Sequence, residues 1–183
     1  MAEPITIDRV QPPGAGALVS VALVPPATRF SFRGGDEAAA ACAAAFGCPL
    51  PRDACRAAEA GDRAALWLGP DEWLLLAPEA EGEALIPAIA GALGAVPHAL
   101  VDISHRQVGF AVAGTRAAML LNTGCPLDLD ASAFPVGMCT RTVLAKSDVA
   151  LWRVAPTLFR LEVNRSFADY VAGYLRVAER GLG

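Results

Sequence analysis

The segment CRAAEAGDRAALW, Cys55 to Trp67, lies without gaps on TRTVLAKSDVALW, Thr140 to Trp152. Arg56 meets Arg141, Ala60 meets Ala145, and Ala65-Leu66-Trp67 meets Ala150-Leu151-Trp152. Two further matches keep the same order. Gly47-Cys48-Pro49-Leu50 returns as Gly124-Cys125-Pro126-Leu127, and Ala90-Gly91-Ala92-Leu93 resembles Ala172-Gly173-Tyr174-Leu175. Each match is weak alone in an alanine-rich chain. Their common order, at an offset of roughly eighty residues, points to an internal duplication.

The duplication settles a local ambiguity. Ala, Arg and Glu favour a helix over CRAAEA, whereas its counterpart CTRTVLA (139–145) has the β-branched pattern of a strand. We read both as strands. VALWRV (149–154) and LFRLEV (158–163) follow in the second copy, with turns at Lys146-Ser147-Asp148 and Ala155-Pro156-Thr157. AALWLG and EWLLLA follow in the first, turning at Gly61-Asp62 and Gly69-Pro70-Asp71.

Each trio is preceded by a strand and a helix. FSF (30–32) leads to an Ala-rich helix ending at Phe46, with Asp36 as the expected N-terminal acceptor and Gly47 as its left-handed close. VGFAVAG (108–114) leads to TRAAMLLNTG, closed by Gly124, with Met119, Leu120 and Thr123 expected to pack in the core. A last helix follows each trio: Gly82 to Leu93, and Phe167 to Arg180 capped by Ser166. The expected architecture is one compact α+β domain of two ββαβββα-type repeats. Residues 1–28 form an arm or loop that includes QPPGAGA, 29–97 the first repeat and 98–183 the second. The join at Val96-Pro97-His98 is too short for a flexible tether.

Bulk properties exclude several function classes. Net charge −4 and a pI near 5.1, with Lys and Arg scattered singly, speak against nucleic acid. MAEPITIDRV lacks a basic head and an apolar core, and no apolar run reaches the ~18 residues of a membrane span, so a cytoplasmic protein is expected. Cys42, Cys48, Cys55, Cys125 and Cys139 form no C-x-x-C, and His98 and His105 lie at no ligand spacing from them. Buried reduced thiols are expected rather than a metal site. Hydrophobic residues make up 54% of the chain and charged ones 19%, with a mean hydropathy of +0.40. So few charges imply that another protein covers part of the surface.

VDISHRQVGF (101–110) places Asp102, Ser104, His105 and Arg106 together. A nucleophilic triad would need Ser104 bonded to His105, yet neighbours on a strand point to opposite faces. Asp102 and Ser104 share a face and suit a strand-to-turn lock through Asx and Ser turns. Asp71-Glu72 is expected to be ionised turn chemistry before Trp73. Trp67, Trp73 and Trp152 could stack on a pteridine ring, but equivalent positions for Trp67 and Trp152 favour core packing.

With these elements placed, the residues carry a resemblance. Asp102-x-Ser104-His105, the strand to Gly114, the helix with Leu120-Leu121, and Phe134-Pro135-x-Gly137 before a Thr-rich strand resemble the aminomethyltransferase superfamily. LWLGPDEWLLLAP (66–78), VDISHRQVGFAVAG (101–114) and residues 125–171 are more closely similar to the gamma-subunit family of heterotetrameric sarcosine oxidase. The resemblance implies a folate-binding-domain fold, with two swapped repeats about a pseudo-twofold axis. It implies membership of a complex oxidising sarcosine to glycine with O2, yielding H2O2 and, with tetrahydrofolate, 5,10-methylenetetrahydrofolate. In that family FAD, FMN and NAD belong to the alpha and beta subunits and zinc to delta. In agreement, this chain has no G-x-G-x-x-G.

Transferases of the superfamily carry an acidic pair where this chain has Ala150, Leu151 and Trp152, and Asp148 is expected in the adjacent turn. No catalytic residue is therefore assigned. His105, Arg106, Trp67, Trp73 and Trp152 are the candidates for contact with a partner or a folate cavity. Asp102, Ser104, Gly69, Pro70, Asp71, Gly114 and Gly137 are assigned structural roles. The alternatives are a stand-alone tetrahydrofolate-binding one-carbon transferase, or a folate-binding iron–sulfur repair factor. The second would need a Lys-Gly-Cys-Tyr-like stretch, which Val136-Gly137-Met138-Cys139 does not match.

Overall fold

A computed structural model describes residues 18–182. QPPGAGA lies outside them. In chain order the elements are β1 (Ser20–Leu23), β2 (Ala27–Gly34), α1 (Asp36–Phe46), β3 (Ala57–Ala60), β4 (Arg63–Gly69), β5 (Glu72–Pro78) and α2 (Gly82–Leu93). There follow β6 (His98–Asp102), β7 (Gln107–Ala113), α3 (Ala117–Asn122), β8 (Cys139–Leu144), β9 (Ser147–Ala155), β10 (Leu158–Asn164) and α4 (Ala168–Arg180). A single 3-10 turn, Glu79–Glu81 or Arg165–Phe167, leads into α2 and α4.

The described residues divide into two compact units, 26–105 and 18–25 with 106–182. Unit one holds an antiparallel sheet in the order β3-β4-β5-β2-β6. Unit two holds one in the order β1-β7-β10-β9-β8. The stretch expected as a loop over 1–28 thus contains β1 and the start of β2. Its backbone pairs along β7 from Ser20↔Ala113 to Leu23↔Phe110, while Val19 is buried. A four-residue edge strand followed by Pro25-Pro26 leaves almost no periodicity to read. The unit borders also depart from 29–97 and 98–183, because β6 completes the sheet beside β2 and β1 completes the one beside β7.

Strand pattern prevails over helix propensity at β3, whose Ala-rich backbone pairs with β4 from Ala57↔Leu66 to Ala60↔Arg63. In unit one Phe30, Phe32, Trp73, Leu75 and Ala77 face a core closed by Phe46 from α1 and by Leu85, Ile89 and Leu93 from α2. In unit two Phe110, Val112, Leu151, Phe159, Leu161 and Val163 face Leu120 and Leu121 of α3 and Val171 and Leu175 of α4. The helical spacing of each buried set is what the periodicity of the sequence requires.

The hairpins correct the ungapped alignment. Both β4–β5 and β9–β10 carry a bulge before the turn, at Trp67/Gly69 and opposite Leu158/Phe159. Matched at these bulges, Trp67 corresponds to Arg153, and Leu66 corresponds to Trp152. The slip arises at the other end, where β9 extends to a tip at Ala145-Lys146. Ser147 and Asp148 therefore lie in β9, not in the turn, and Asp148 is exposed opposite Val143. A one-residue slip exchanges the faces of a strand. Trp67 and Trp152 are not equivalent.

Three helix expectations also change. The cap of α1 is Gly35 without a side-chain bond, and Asp36, already inside the helix, pairs with Arg52 at 2.6 Å. Ser166 lies in the 3-10 turn, so Phe167 precedes α4. Met119 is 57% exposed, because Ala117, Leu120 and Leu121 take the inner face of α3, and Thr123 is exposed as well. Gly47 closes α1 at φ 70, as expected.

Candidate functional site

The end of β6 is built as a lock. The Ser104 N–H donates to Asp102 Oδ1 at 2.8 Å, and the Ser104 hydroxyl donates to the same oxygen at 2.6 Å. The hydroxyl oxygen accepts the Arg29 N–H at 2.9 Å, while the Ile103 N–H donates to Arg29 O at 2.9 Å. Ser104 thus stands in for the next rung of the β2–β6 ladder and ends it without orphaning the Arg29 amide. With its single proton given to Asp102, this hydroxyl is not activated by an imidazole, and the nucleophile reading fails. His105 and Arg106 follow, both exposed. In unit two the Arg106 carbonyl accepts from Arg165 N at 2.8 Å.

The tryptophans separate. Trp67 and Trp73 are cross-strand partners in unit one, and Trp152 is in unit two. Trp73 is fully buried: its indole N–H donates to Pro51 O at 2.8 Å, Phe32 lies 6.0 Å from its ring, and Arg52 sits over it. No edge or face of Trp73 is left for a pteridine. Trp152 is equally buried, on the sheet face away from the unit-two core, beside Arg160. Ala150, Leu151 and Trp152 are all buried and carry no carboxylate.

The glycines assigned structural roles hold turns. Gly69-Pro70-Asp71 joins β4 to β5, where Asp71 O accepts the Gly34 N–H at 3.0 Å and Asp71 pairs with Arg33 at 3.3 Å. Gly114 is matched to Gly34 by its bond to Thr157 O at 2.9 Å. At φ 126 it also passes so close to the 18–19 backbone that a Cβ would lie 2.8 Å from Val19 Cα. Gly137, at φ 81, is the third residue of a turn closed by Met138 N to Pro135 O at 3.0 Å, the type II geometry that favours glycine.

Buried charges are what the sequence reasoning passed over. Arg153 donates from Nη1 to Leu129 O and Phe134 O and from Nη2 to Pro156 O, fixing the long α3–β8 connection to the sheet. Arg160 Nε donates to Glu162 Oε1 at 2.7 Å, and both side chains are almost wholly buried. Arg29 is buried in unit one. The alternation in LWRVA and LFRLEV signals a strand with one wet face; here both faces of the sheet are buried.

Four of the five cysteines are buried free thiols, Cys55 being the exception at intermediate exposure. Burial raises Cys42 to about 12 and Cys48 to about 11, so both stay protonated near neutrality. Asp130 is lowered, first by the hydrogen bonds it accepts from the hydroxyl and amide of Ser132. Among the described residues no group of three or more His, Cys, Asp and Glu could hold a metal ion. None of their helices is long and apolar enough to cross a membrane.

Comparison with known proteins places this geometry. The model of the sarcosine oxidase, gamma subunit family matches residues 33–180. Sarcosine oxidase subunit gamma from Corynebacterium sp. (strain U-96) is 38% identical over 144 residues, covering 77% of this chain and 68% of that protein. The Arthrobacter subunit gamma is 37% identical over 142 residues, covering 77% and 69%. A chain in the heterotetrameric sarcosine oxidase of Corynebacterium sp. U-96, solved with pyrrole 2-carboxylate, matches at TM-score 0.85 and 34% identity, over 91% of this chain and 87% of that one. The glycine cleavage aminomethyltransferase T of Bartonella henselae shares the fold alone, at TM-score 0.66 and 11% identity, over 87% of this chain and 45% of the transferase. Family match, relatives and strand architecture agree, and the chain belongs to the sarcosine oxidase gamma subunit family.

Proposed function

We propose that this chain is an accessory subunit of a heterotetrameric sarcosine oxidase, the complex that oxidises sarcosine to glycine with O2 and releases H2O2. With tetrahydrofolate present, the one-carbon unit leaves as 5,10-methylenetetrahydrofolate. The observation that carries the reading is the match in fold and sequence, over nearly the whole chain, to a chain of such a complex. The partners are the alpha, beta and delta subunits, in the cytoplasm. FAD, FMN and NAD lie in the larger subunits, zinc lies in delta, and this chain performs no chemical step.

The site geometry supports the accessory role. A general acid or base needs a titratable group at the reacting proton. The strand position that would supply one holds Ala150, Leu151 and Trp152, and the Ser104 hydroxyl is committed to a structural bond. Trp73 and Trp152 serve packing in this reading, as their burial favours. The two units are copies of one motif that have exchanged their first strands. Matched bulges and the Gly34–Asp71 and Gly114–Thr157 bonds support that origin.

The test is co-expression of an affinity-tagged chain with candidate large subunits. The reading requires that flavin absorbance and sarcosine-dependent H2O2 production co-purify with the tag. Saturable binding of tetrahydrofolate to the isolated chain, with formaldehyde transfer and no partner, would overturn it.

A further inference from the structure

The low charge of the chain is not evenly distributed. Residues 38–51, from the second turn of α1 through its following loop, contain no Asp, Glu, Lys or Arg. Neither do residues 84–101, which span α2 and run into β6. α1 and α2 pack against each other in unit one. Their inner positions are buried, but Ala40 and Ala44 of α1 and Ala84, Ile86, Pro87, Ala88, Ala90 and Gly91 of α2 are exposed. A surface helix ordinarily turns a polar face to water. These two turn alanine, glycine, proline and isoleucine outward. On α4 the exposed Tyr170 and Val177 alternate instead with Asp169, Arg176 and Arg180, an ordinary soluble surface.

Both ends of this layer carry more acid than base, with Asp36 and Glu37 beside Arg52 at one and Glu79, Glu81 and Glu83 beside Arg63 at the other. α1 follows β2 and α2 follows β5, and these strands are antiparallel neighbours, so the two helices start at opposite ends of the sheet. Exposed Glu37 marks one start, and exposed Glu79 and Glu83 mark the other. Gly91 adds a second observation. It sits in the outer face of a helix, where alanine would be more stable, and a Cβ there would meet nothing within 4 Å. Nothing among the described residues requires this glycine, whereas a closely approaching backbone would.

We infer that the outer face of α1 and α2 is the surface by which this chain is held in its complex, against a partner subunit apolar at the centre and basic at both ends. The inference rests on the accessory-subunit reading and says which side of the molecule serves it. Charge complementarity selects the partner: a second copy of this chain would set acidic ends against acidic ends, whereas a basic-rimmed subunit satisfies them. The alanine and glycine surface lets a helix of that partner approach closely.

Ala44→Lys with Gly91→Lys tests the inference in the assembled oxidase. Both positions lie near helix C-termini, where a cation suits the dipole, and both are exposed, so the thermal midpoint of the isolated chain stays or rises. Two ammonium groups, one in the last turn of each helix and so one at each end of the layer against the partner's basic rim, should cut recovery of flavin subunits with the tagged chain at least tenfold. Glu83→Lys should weaken recovery at low salt, with the deficit shrinking as salt rises. Arg176→Glu on α4 serves as the control and should assemble as the parent does. If the parent chain recovers no flavin subunit, the accessory-subunit reading fails. If the parent and the double-lysine chain recover it equally, this surface is wrong. If the isolated chain forms a dimer that the two lysines dissociate, the occupant is a second copy, and the inference is overturned.

Discussion

At the scale of residues, Ser104 makes a local turn and closes a long-range rung with one oxygen. Ser104→Ala removes the acceptor of the buried Arg29 amide and should cost about 2 kcal/mol, read as a shift of the urea midpoint, without abolishing oxidase activity in the complex. An equal fall in activity and stability-corrected assembly would contradict the lock. Arg160→Met breaks a buried pair with Glu162 and should cost about 3 kcal/mol. The thiols set a titration. Their raised values mean that the folded chain holds the Cys42 and Cys48 protons more tightly than the unfolded chain does. Stability should be level below pH 9.0 and fall as pH rises through about 11 and about 12. At neutral pH Cys55, the one cysteine that is not buried, should be the first to react with a thiol reagent. The Asp102–Ser104 contact was readable in the sequence because Asx chemistry acts over two residues. The Arg29 amide, seventy-five positions away from Ser104, carries no local mark.

At the scale of elements, the duplicated strands were legible and their register was not. Identity of Ala-Leu-Trp drew Trp67 onto Trp152, while the bulges set Trp67 against Arg153. Strands punish such an error, since one position inverts the face. Helices forgive more. The offset between Leu93 and Leu175 in the sequence match is four residues short of the one that pairs Ile89 with Leu175, and four residues is about one helical turn, so the buried face was still right. The edge strand β1 was lost because four residues beside Pro25-Pro26 show no period, and its partner β7 lies more than a full repeat away. Gly114 joins the end of β7 to that edge. Gly114→Ala combines an unfavourable φ with overlap on the 18–19 backbone and should cost more than 2 kcal/mol in chemical denaturation, whereas Gly91→Ala should stabilise the chain slightly.

At the scale of the whole molecule, the unit of folding is not the unit of sequence repetition. A chain divided between Pro97 and His98 leaves one piece without β6 and the other without β1. Neither piece should show a cooperative melt by circular dichroism alone, and mixing the two should restore one. Independent melting of both pieces would contradict the proposal that the two units have exchanged their first strands. Composition was informative at this scale too. A chain that is 54% hydrophobic led to the expectation of a covered surface, and the placement of α1 and α2 says where the exposed uncharged residues gather. The buried arginines were invisible for the opposite reason, because an alternating strand with both faces buried looks like one with a face in water.

In the proposed function this chain assembles with a sarcosine-oxidising flavoprotein and contributes no chemistry of its own. Size-exclusion chromatography of the co-expressed subunits, with flavin absorbance and sarcosine-dependent H2O2 production followed across the elution, tests it most directly. The chain, the flavin and the activity should leave the column in one peak, while the isolated chain should be colourless and inactive. A colourless peak of this chain, separate from a fully active flavoprotein, would contradict it.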